Sequence, residues 1–346
     1  MAKIAINIVG WKHPHEVLKD SMDAVLAQDF SDFELWMSDN SAGPDGIGKN
    51  VEFCRERYGK NSKVKIVDNH GNIGFAGGHN KFFDSTDSEL VMVLNPDASM
   101  QPGFLRNIIK VFDDPKVAAA TGKMLKPEPN EKGEYLLDGT GIVVSRSRAA
   151  RERGQLEIDR GQYDRQTDIF GVSGSAAVYR RSALKDVKIL DNEYFDPDFV
   201  AYYEDLDLAY RLRLMGYVVK YAPDAKIYHE RAAGKSPAGW RNPAGFVRHY
   251  RKISGHILKF SARNHMFAMI KSEFGWGFWK DSPIIVARQT LYLGYLLVFR
   301  PKVFFQTVNE FFKLLPKMLK KRKLIQNKRK ISSAEMSKWF SGGWIV

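Results

Sequence analysis

Short apolar runs rich in β-branched residues recur through the first hundred positions, at 3–9 (KIAINIV), 33–38 (FELWMS), 63–67 (KVKIV) and 89–94 (ELVMVL). Each is bounded by turn-forming residues, which predicts strands. Helical stretches are expected between and after them, near 15–28, 46–58, 78–84 and 102–113. Strand and helix alternating in this way predict an α/β fold with a mostly parallel, Rossmann-like sheet flanked by helices. Such sheets bind ligands in the crevice beyond the carboxyl ends of their strands. The residues that follow each strand are therefore the first candidates: Gly10-Trp11, Asp39-Asn40-Ser41, Asp68-Asn69 and Asn95-Pro96-Asp97.

From about 117 to 180 the pattern loosens into shorter strands with polar connections. A helix is expected over 204–215, with Leu208, Leu212 and Met215 on one face and Gly216 at its end. An extended segment then runs to His229, and the Gly-, Pro- and Ala-rich stretch 230–245 reads as a mobile loop. These features predict a catalytic unit over 1–245, with its two halves meeting near 125, and a helical extension over 246–346. Within the extension, the apolar run 284–299 is interrupted by Arg288 and Gln289. It is shorter than the roughly 20 residues a spanning helix needs. Beyond Pro301, Phe304, Val308, Phe311, Leu315 and Met318 recur at helical spacing, flanked by Lys313, Lys317, Lys320 and Lys321.

Charge divides the chain at nearly the same place. Residues 1–234 carry 31 Lys and Arg against 36 Asp and Glu, whereas 235–346 carry 22 against 4. The overall charge of +13 thus hides a mildly acidic body and a tail of net +18. The tail is expected to face an anionic partner, and its Leu, Phe and Tyr stripes favour a membrane surface over nucleic acid. Cys54 is the single cysteine, so no intrachain disulfide can form, and a reducing cytoplasm is the simplest compartment. The N-terminal residues lack the layout of a signal peptide.

Four constellations carry candidate chemistry. Asp97, directly after an apolar strand, can bind a divalent cation that bridges phosphate oxygens, although an aspartate after a proline also suits a turn. The segment Asn69–Asn80 (NHGNIGFAGGHN) surrounds Phe75 with glycines that permit close backbone approach to a phosphate or sugar. Glu204 and Asp205 open the helix that follows Tyr202 and Tyr203; Asp205 can take a proton from an acceptor hydroxyl, or can simply complement the helix dipole. His229, at the end of its strand, can ligate a metal or be an ordinary part-buried imidazole.

Taken in order, these segments resemble inverting glycosyltransferase family 2, which has the GT-A fold, and most closely its rhamnosyltransferase-like branch. The matching motifs are Asp39-Asn40-Ser41-Ala42, the loop from Asn72 to Asn80, Asn95-Pro96-Asp97, the block Phe195-Asp196 through Glu204-Asp205 to Arg211, and His229. They cover roughly residues 3–231. The sequence departs from the family at Val9-Gly10-Trp11-Lys12, at His79, and at Asn95, which replaces the first acidic residue of the usual metal motif.

The resemblance implies transfer of a sugar from a nucleotide-sugar donor in one in-line displacement. Asp205 would act as base, and Asp97 with His229 would hold Mg²⁺ or Mn²⁺. The donor would contact Val9, Asp39, Asn72, Gly74, Phe75, Gly77, Gly78, Asn80, Asn95 and Asp97. Gly174, Tyr203 and Glu204 would lie on the acceptor side. The loop together with Asn95-Pro96-Asp97 resembles enzymes that use dTDP-rhamnose, with UDP-hexoses, UDP-galactofuranose and other deoxysugars as open alternatives, and a glycan or polyprenyl-linked glycan is the expected acceptor, at the inner face of a cell membrane. Two other readings stand beside this one. A sugar nucleotidyltransferase would want a glycine-rich basic loop after the first strand, which Gly10-Trp11-Lys12-His13-Pro14 does not supply. A nucleic-acid-binding protein would account for the basic tail alone.

Overall fold

The computed structural model describes residues 2–41, 48–230 and 250–341. The first half runs β1 (Ile4–Gly10), α1 (His15–Leu26), β2 (Phe33–Asp39), α2 (Lys49–Tyr58), β3 (Val64–Asp68), α3 (Gly74–Ser85), β4 (Leu90–Leu94), β5 (Ala98–Met100), α4 (Phe104–Ile109) and β6 (Val117–Leu125). Then follow β7 (Leu137–Gly139), β8 (Ile142–Val144), β9 (Ala150–Glu152), β10 (Ala176–Arg180), α5 (Arg181–Val187), α6 (Glu204–Leu214) and β11 (Val218–His229). Four further helices close the described chain: α7 (Gly255–Ser272), α8 (Gly275–Phe299), α9 (Pro301–Lys328) and α10 (Ser333–Ser337). Ala42 and the 231–245 part of the expected loop lie outside the described residues.

Nine strands form one sheet in the order β3-β2-β1-β4-β10-β6-β11-β5, with β7 beside β6. The pairs β1–β2, β1–β4, β2–β3 and β6–β11 are parallel, while β10 is antiparallel to β4 and β6. All seven residues of β1 are buried because both faces of the sheet are covered. Alternation splits it between two cores. Ile4, Ile6 and Ile8 pack with Leu18, Met22 and Val25 of α1; Ala5 packs on the other side with Phe82 and Phe83 of α3 and Leu208 and Leu212 of α6.

Two expected boundaries move. Helix α3 starts at Gly74, not near 78, so most of the glycine-rich segment is helix rather than loop. Glycine's low helix propensity, about 1 kcal/mol per residue below alanine, hides this in the sequence. Packing explains the residue choice: a Cβ on Gly78 would lie 3.0 Å from Val9 Cγ2, and one on Gly77 3.2 Å from Ile73 Cβ. The second change is in the tail, where the apolar run 284–299 belongs to a 25-residue helix, α8.

Helices α7, α9 and α10 are packed on the α/β body. Phe267 and Ala268 of α7 and Met318 of α9 bury Phe199, while Ile325 of α9, Met336 of α10 and Phe340 join Leu206 and Tyr210 of α6. An ion cluster, buried at Lys271, Lys321, Asp196 and Asp207, sits at the same junction. Lys271 lies 2.6 Å from Asp196 and 2.7 Å from Asp207, and Lys321 lies 2.6 Å from Asp196 and 2.7 Å from Asp198. Burial alone would raise the Asp196 pKa, but the two ammonium groups hold it well below the usual carboxylate range. Part of the tail's positive charge therefore neutralises the acidic body rather than facing an outside partner.

Candidate active site

The carboxyl ends of β1, β2, β4 and β11 share one edge of the sheet. Because β10 is antiparallel, with Ala176 opposite Leu94, the residues that precede it, Ser173-Gly174-Ser175, reach the same edge. There an open crevice of about 1330 Å³ is lined by Val9, Asn72, Gly74, Phe75, Asn95, Asp97, Gly174, Tyr203, Glu204, Asp205 and His229, among others. That volume exceeds the several hundred cubic ångströms of a typical small-molecule site, leaving room for a donor and an acceptor together.

Strand register places the first pair of candidate groups. Strand β5 pairs antiparallel with the end of β11, setting His229 opposite Ala98, and the Glu230 amide donates to the Asp97 carbonyl at 3.2 Å. Asp97 and His229, 132 positions apart, are thereby held with Oδ1 and Nε2 3.3 Å from each other. The Nδ1 atom of His229 is 2.8 Å from Asp138 of β7, which in turn pairs with Lys126 at 3.0 Å. Burial lowers the pKa of His229, but the hydrogen bonds to Asp138 and Asp97 outweigh it and the net shift is upward. Burial likewise raises Asp97, and the contact with His229 turns its net shift downward. Asn95 Nδ2 also approaches His229 Nε2, at 3.3 Å. A carboxylate and an imidazole facing one crevice, with the far ring nitrogen fixed by a second carboxylate, form a donor set that suits a divalent cation. Among the described residues no group of three or more His, Cys, Asp or Glu is gathered to hold a metal. A cation here would therefore take its remaining ligands from substrate and water.

On the opposite side, Tyr203 caps α6 in a left-handed conformation, and Asp205 follows in the first turn. Asp205 Oδ2 accepts from the Gly174 amide at 3.1 Å, and Oδ1 accepts from the Leu206 amide at 2.7 Å. Gly174 has to lack a side chain, because a Cβ there would lie 2.9 Å from the ring of Phe75. Phe75 thus links the start of α3 to the strand entry that supports Asp205. Glu204 is buried beside it, and burial together with the Asp205 charge pushes its pKa up to about 8. Asp207 does not share this site, being paired with Arg211 at 3.0 Å.

The remaining donor-side candidates divide into two groups. Val9, Asn72, Gly74, Phe75, Asn95 and Asp97 line the crevice. Asn72 Oδ1 accepts from the Gly74 amide at 2.9 Å, and Gly74 has φ +75°, a conformation suited to glycine. Gly77, Gly78 and Asn80 are not among the residues that line the crevice. The first two pack on Ile73 and Val9, and Asn80 is bonded to both backbone groups of Phe195, at 2.8 and 2.9 Å. Asp39 is fully buried just behind the crevice wall. Its Oδ1 accepts from Ser41 and Asn50, and among the described residues Oδ2 has no hydrogen-bond partner.

Sequence reasoning singled out Trp11 at the end of β1 but missed Asp138, and also His13, Arg151 and Glu152 in the crevice wall. Asp138 gives no local signal, since its role depends on β7 pairing beside β6.

Comparison with known proteins agrees with this architecture. Residues 14–188 match the model of glycosyl transferase family 2. Over 216 residues the chain is 26% identical to the poly-beta-1,6-N-acetyl-D-glucosamine synthase of Staphylococcus epidermidis, covering 61% of this chain and 46% of that protein. Over 190 residues it is 24% identical to the hyaluronan synthase of Streptococcus pyogenes, covering 53% and 41%. The chain thus spans less than half the length of either relative. Among solved structures, GalNAc-T7 with UDP, GalNAc and Mn²⁺ superposes with a TM-score of 0.58 at 11% identity, covering 91% of this chain and 57% of that one. The Pyrobaculum calidifontis mannosyltransferase PcManGT, in complex with GDP-Man and Mn²⁺, gives 0.52 at 15%, covering 97% and 87%. The fold is the GT-A fold, and the chain belongs to glycosyl transferase family 2.

Proposed function

We propose that the chain transfers a sugar from a nucleotide-sugar donor to an acceptor hydroxyl with inversion at the anomeric carbon, in cell-surface polysaccharide synthesis. The observation that carries this reading is the Asp97–His229 pair on one wall of the same crevice whose other wall holds Asp205. Asp97 and His229 would hold Mg²⁺ or Mn²⁺, which supplies positive charge for the departing diphosphate. Asp138 keeps the His229 ring oriented toward the crevice. Asp39, whose Oδ2 has no hydrogen-bond partner among the described residues, would accept a hydrogen bond from the nucleotide base. Asp205 takes the proton of the acceptor hydroxyl as that oxygen attacks the anomeric carbon from the face opposite the diphosphate. The Gly174 amide holds Asp205 in place meanwhile.

The loop motif favours dTDP-rhamnose as donor. The name of the Staphylococcus epidermidis relative favours an N-acetylhexosamine instead, so both donor classes belong in the first test. A glycan or polyprenyl-linked glycan is the acceptor class this reading requires.

We place the enzyme on the inner face of a membrane through its C-terminal helices. Helix α8 is the one described helix long and apolar enough to cross a membrane by length and composition, with mean hydropathy 1.3 over its most apolar window. Little of that window is buried, and Val286, Leu291 and Leu297 are exposed along it. Helix α9 adds Phe305, Phe312 and Leu319, exposed seven residues apart between lysines. Asp281, inside α8, is bound to Arg146 at 2.6 Å and Arg148 at 2.9 Å, which ties this helix to the body and favours lying on the surface over spanning.

The test is a turnover screen of dTDP-rhamnose, UDP-N-acetylglucosamine and other nucleotide sugars with Mg²⁺, Mn²⁺ or EDTA. The expected result is metal-dependent consumption of one donor. Full turnover in excess EDTA would overturn the metal assignment, and no turnover of any nucleotide sugar would overturn the activity.

A further inference from the structure

The segment that delivers Asp205 has an unusual backbone. Between the short turn Pro197–Phe199 and the start of α6, Val200, Tyr202 and Tyr203 have φ of +65°, +69° and +71°. Such angles are uncommon for non-glycine residues and are outliers for a β-branched one such as Val200. All three residues line the crevice. A conformation of this kind persists only where its surroundings hold it.

The groups that hold it come from the C-terminal helices. Asn264 of α7 is fully buried, and its Nδ2 donates to the carbonyls of Phe199, Ala201 and Tyr202 at 2.8, 2.9 and 2.9 Å. Its Oδ1 accepts from Arg263 Nε at 3.0 Å. Arg263 Nη2 donates to the Asp198 and Phe199 carbonyls at 2.8 and 3.3 Å, and Arg263 is itself anchored on Glu310 of α9. One amide thus gathers three carbonyls of the segment that ends at Glu204 and Asp205. The Phe199 carbonyl also accepts from Arg263, whereas for those of Ala201 and Tyr202 the described side-chain donor is Asn264.

We propose that Asn264 is a positioning residue for the transfer reaction: it fixes the left-handed segment 200–203 so that Asp205 meets the acceptor. The helices after residue 254 are on this account part of the catalytic unit, in addition to any docking role. The inference rests on the reading of Asp205 as base.

The variant Asn264→Leu removes the donor with little change in size. The control Leu258→Ala loosens the same helix where it packs on Tyr292, Tyr295 and Leu296, away from the segment. Three readouts are compared at a temperature where all proteins are folded. They are hydrogen exchange of amides 198–206, binding of UDP or dTDP with Mn²⁺, and transfer kcat at saturating donor. For Asn264→Leu the expected result is at least tenfold faster exchange across 198–206, nucleotide binding within twofold of wild type, and kcat down tenfold or more. Leu258→Ala should lower the melting temperature and leave exchange and kcat within threefold. Should Asn264→Leu fail to fold, Asn264→Ser leaves space for a water to bridge and should show the same pattern at smaller amplitude. Unchanged exchange across 198–206 overturns the proposal. So does an equal loss of kcat in Leu258→Ala, or a loosened segment with kcat within twofold of wild type. If the wild type consumes no nucleotide sugar, the proposed function fails, while the exchange comparison still decides whether Asn264 holds the segment.

Discussion

The two walls of the crevice are built by different means. The wall with Asp97 and His229 is made from strand ends whose positions follow from sheet register, and the ion pairs described for it join residues within 97–229. The wall with Asp205 stands on a segment with three left-handed residues and is held by side chains of α7 and α9, beyond residue 254. The metal-and-donor side is therefore self-contained. The acceptor side borrows its rigidity from the tail. Damage to the first should appear as lost metal and nucleotide affinity, and damage to the second as lost turnover with donor binding intact.

The largest expected effect is at Asp205. Asp205→Asn keeps the size and can still accept from the Gly174 amide, but it cannot take a proton. Transfer should fall about 10²- to 10⁴-fold, the usual worth of a general base, with melting temperature nearly unchanged. A lowered melting temperature with transfer within a few-fold of wild type would mean that Asp205 only caps α6.

Asp138→Asn probes the support behind His229. Losing the carboxylate that orients a metal-binding imidazole typically costs about 10- to 100-fold in metal affinity or activity. A titration of Mn²⁺ against activity should show the midpoint moving up by that amount, and an unmoved midpoint would exclude Asp138 from the site.

Asp39→Ala should weaken nucleotide binding by about tenfold and leave kcat at saturating donor nearly unchanged, because a base contact contributes uniform binding. Calorimetry with UDP and dTDP would measure it, and normal binding of both would refute the base contact.

The smallest effect concerns Glu204 and is one of stability. Its proton is retained in the fold up to a pKa of about 8, whereas the unfolded chain loses it near 4.5. Stability therefore falls as pH rises between these values. Glu204→Gln removes that loss, so thermal scans should show its stability relative to wild type rising between pH 4 and pH 8.5. Equal differences at both pH values would refute the burial of a protonated Glu204.

How far the sequence reveals each wall follows the same division. The four early strands lie within one residue of their expected positions, and Asp97, Asp205 and His229 reach one crevice, because strand ends and a helix start leave local marks. The start of α3 was hidden by its glycines. Asp138 was hidden because a three-residue strand has too short a pattern to read. The buried partners Lys271 and Lys321 read as part of a solvated basic tail, since nothing near them in the chain announces Asp196 or Asp207. The role of Asn264 was hidden because its three carbonyl partners lie more than sixty residues away.

The division between the walls is tested most directly by calorimetric titration of the nucleoside diphosphate with and without Mn²⁺ into the wild type, Asp97→Ala and Asp205→Asn. The expected result is Mn²⁺-dependent binding in the wild type, the same affinity within about twofold in Asp205→Asn, and loss of the Mn²⁺-dependent part in Asp97→Ala, since only groups that contact the bound state alter its affinity. Mn²⁺-dependent binding that survives in Asp97→Ala, or disappears in Asp205→Asn, would contradict the account.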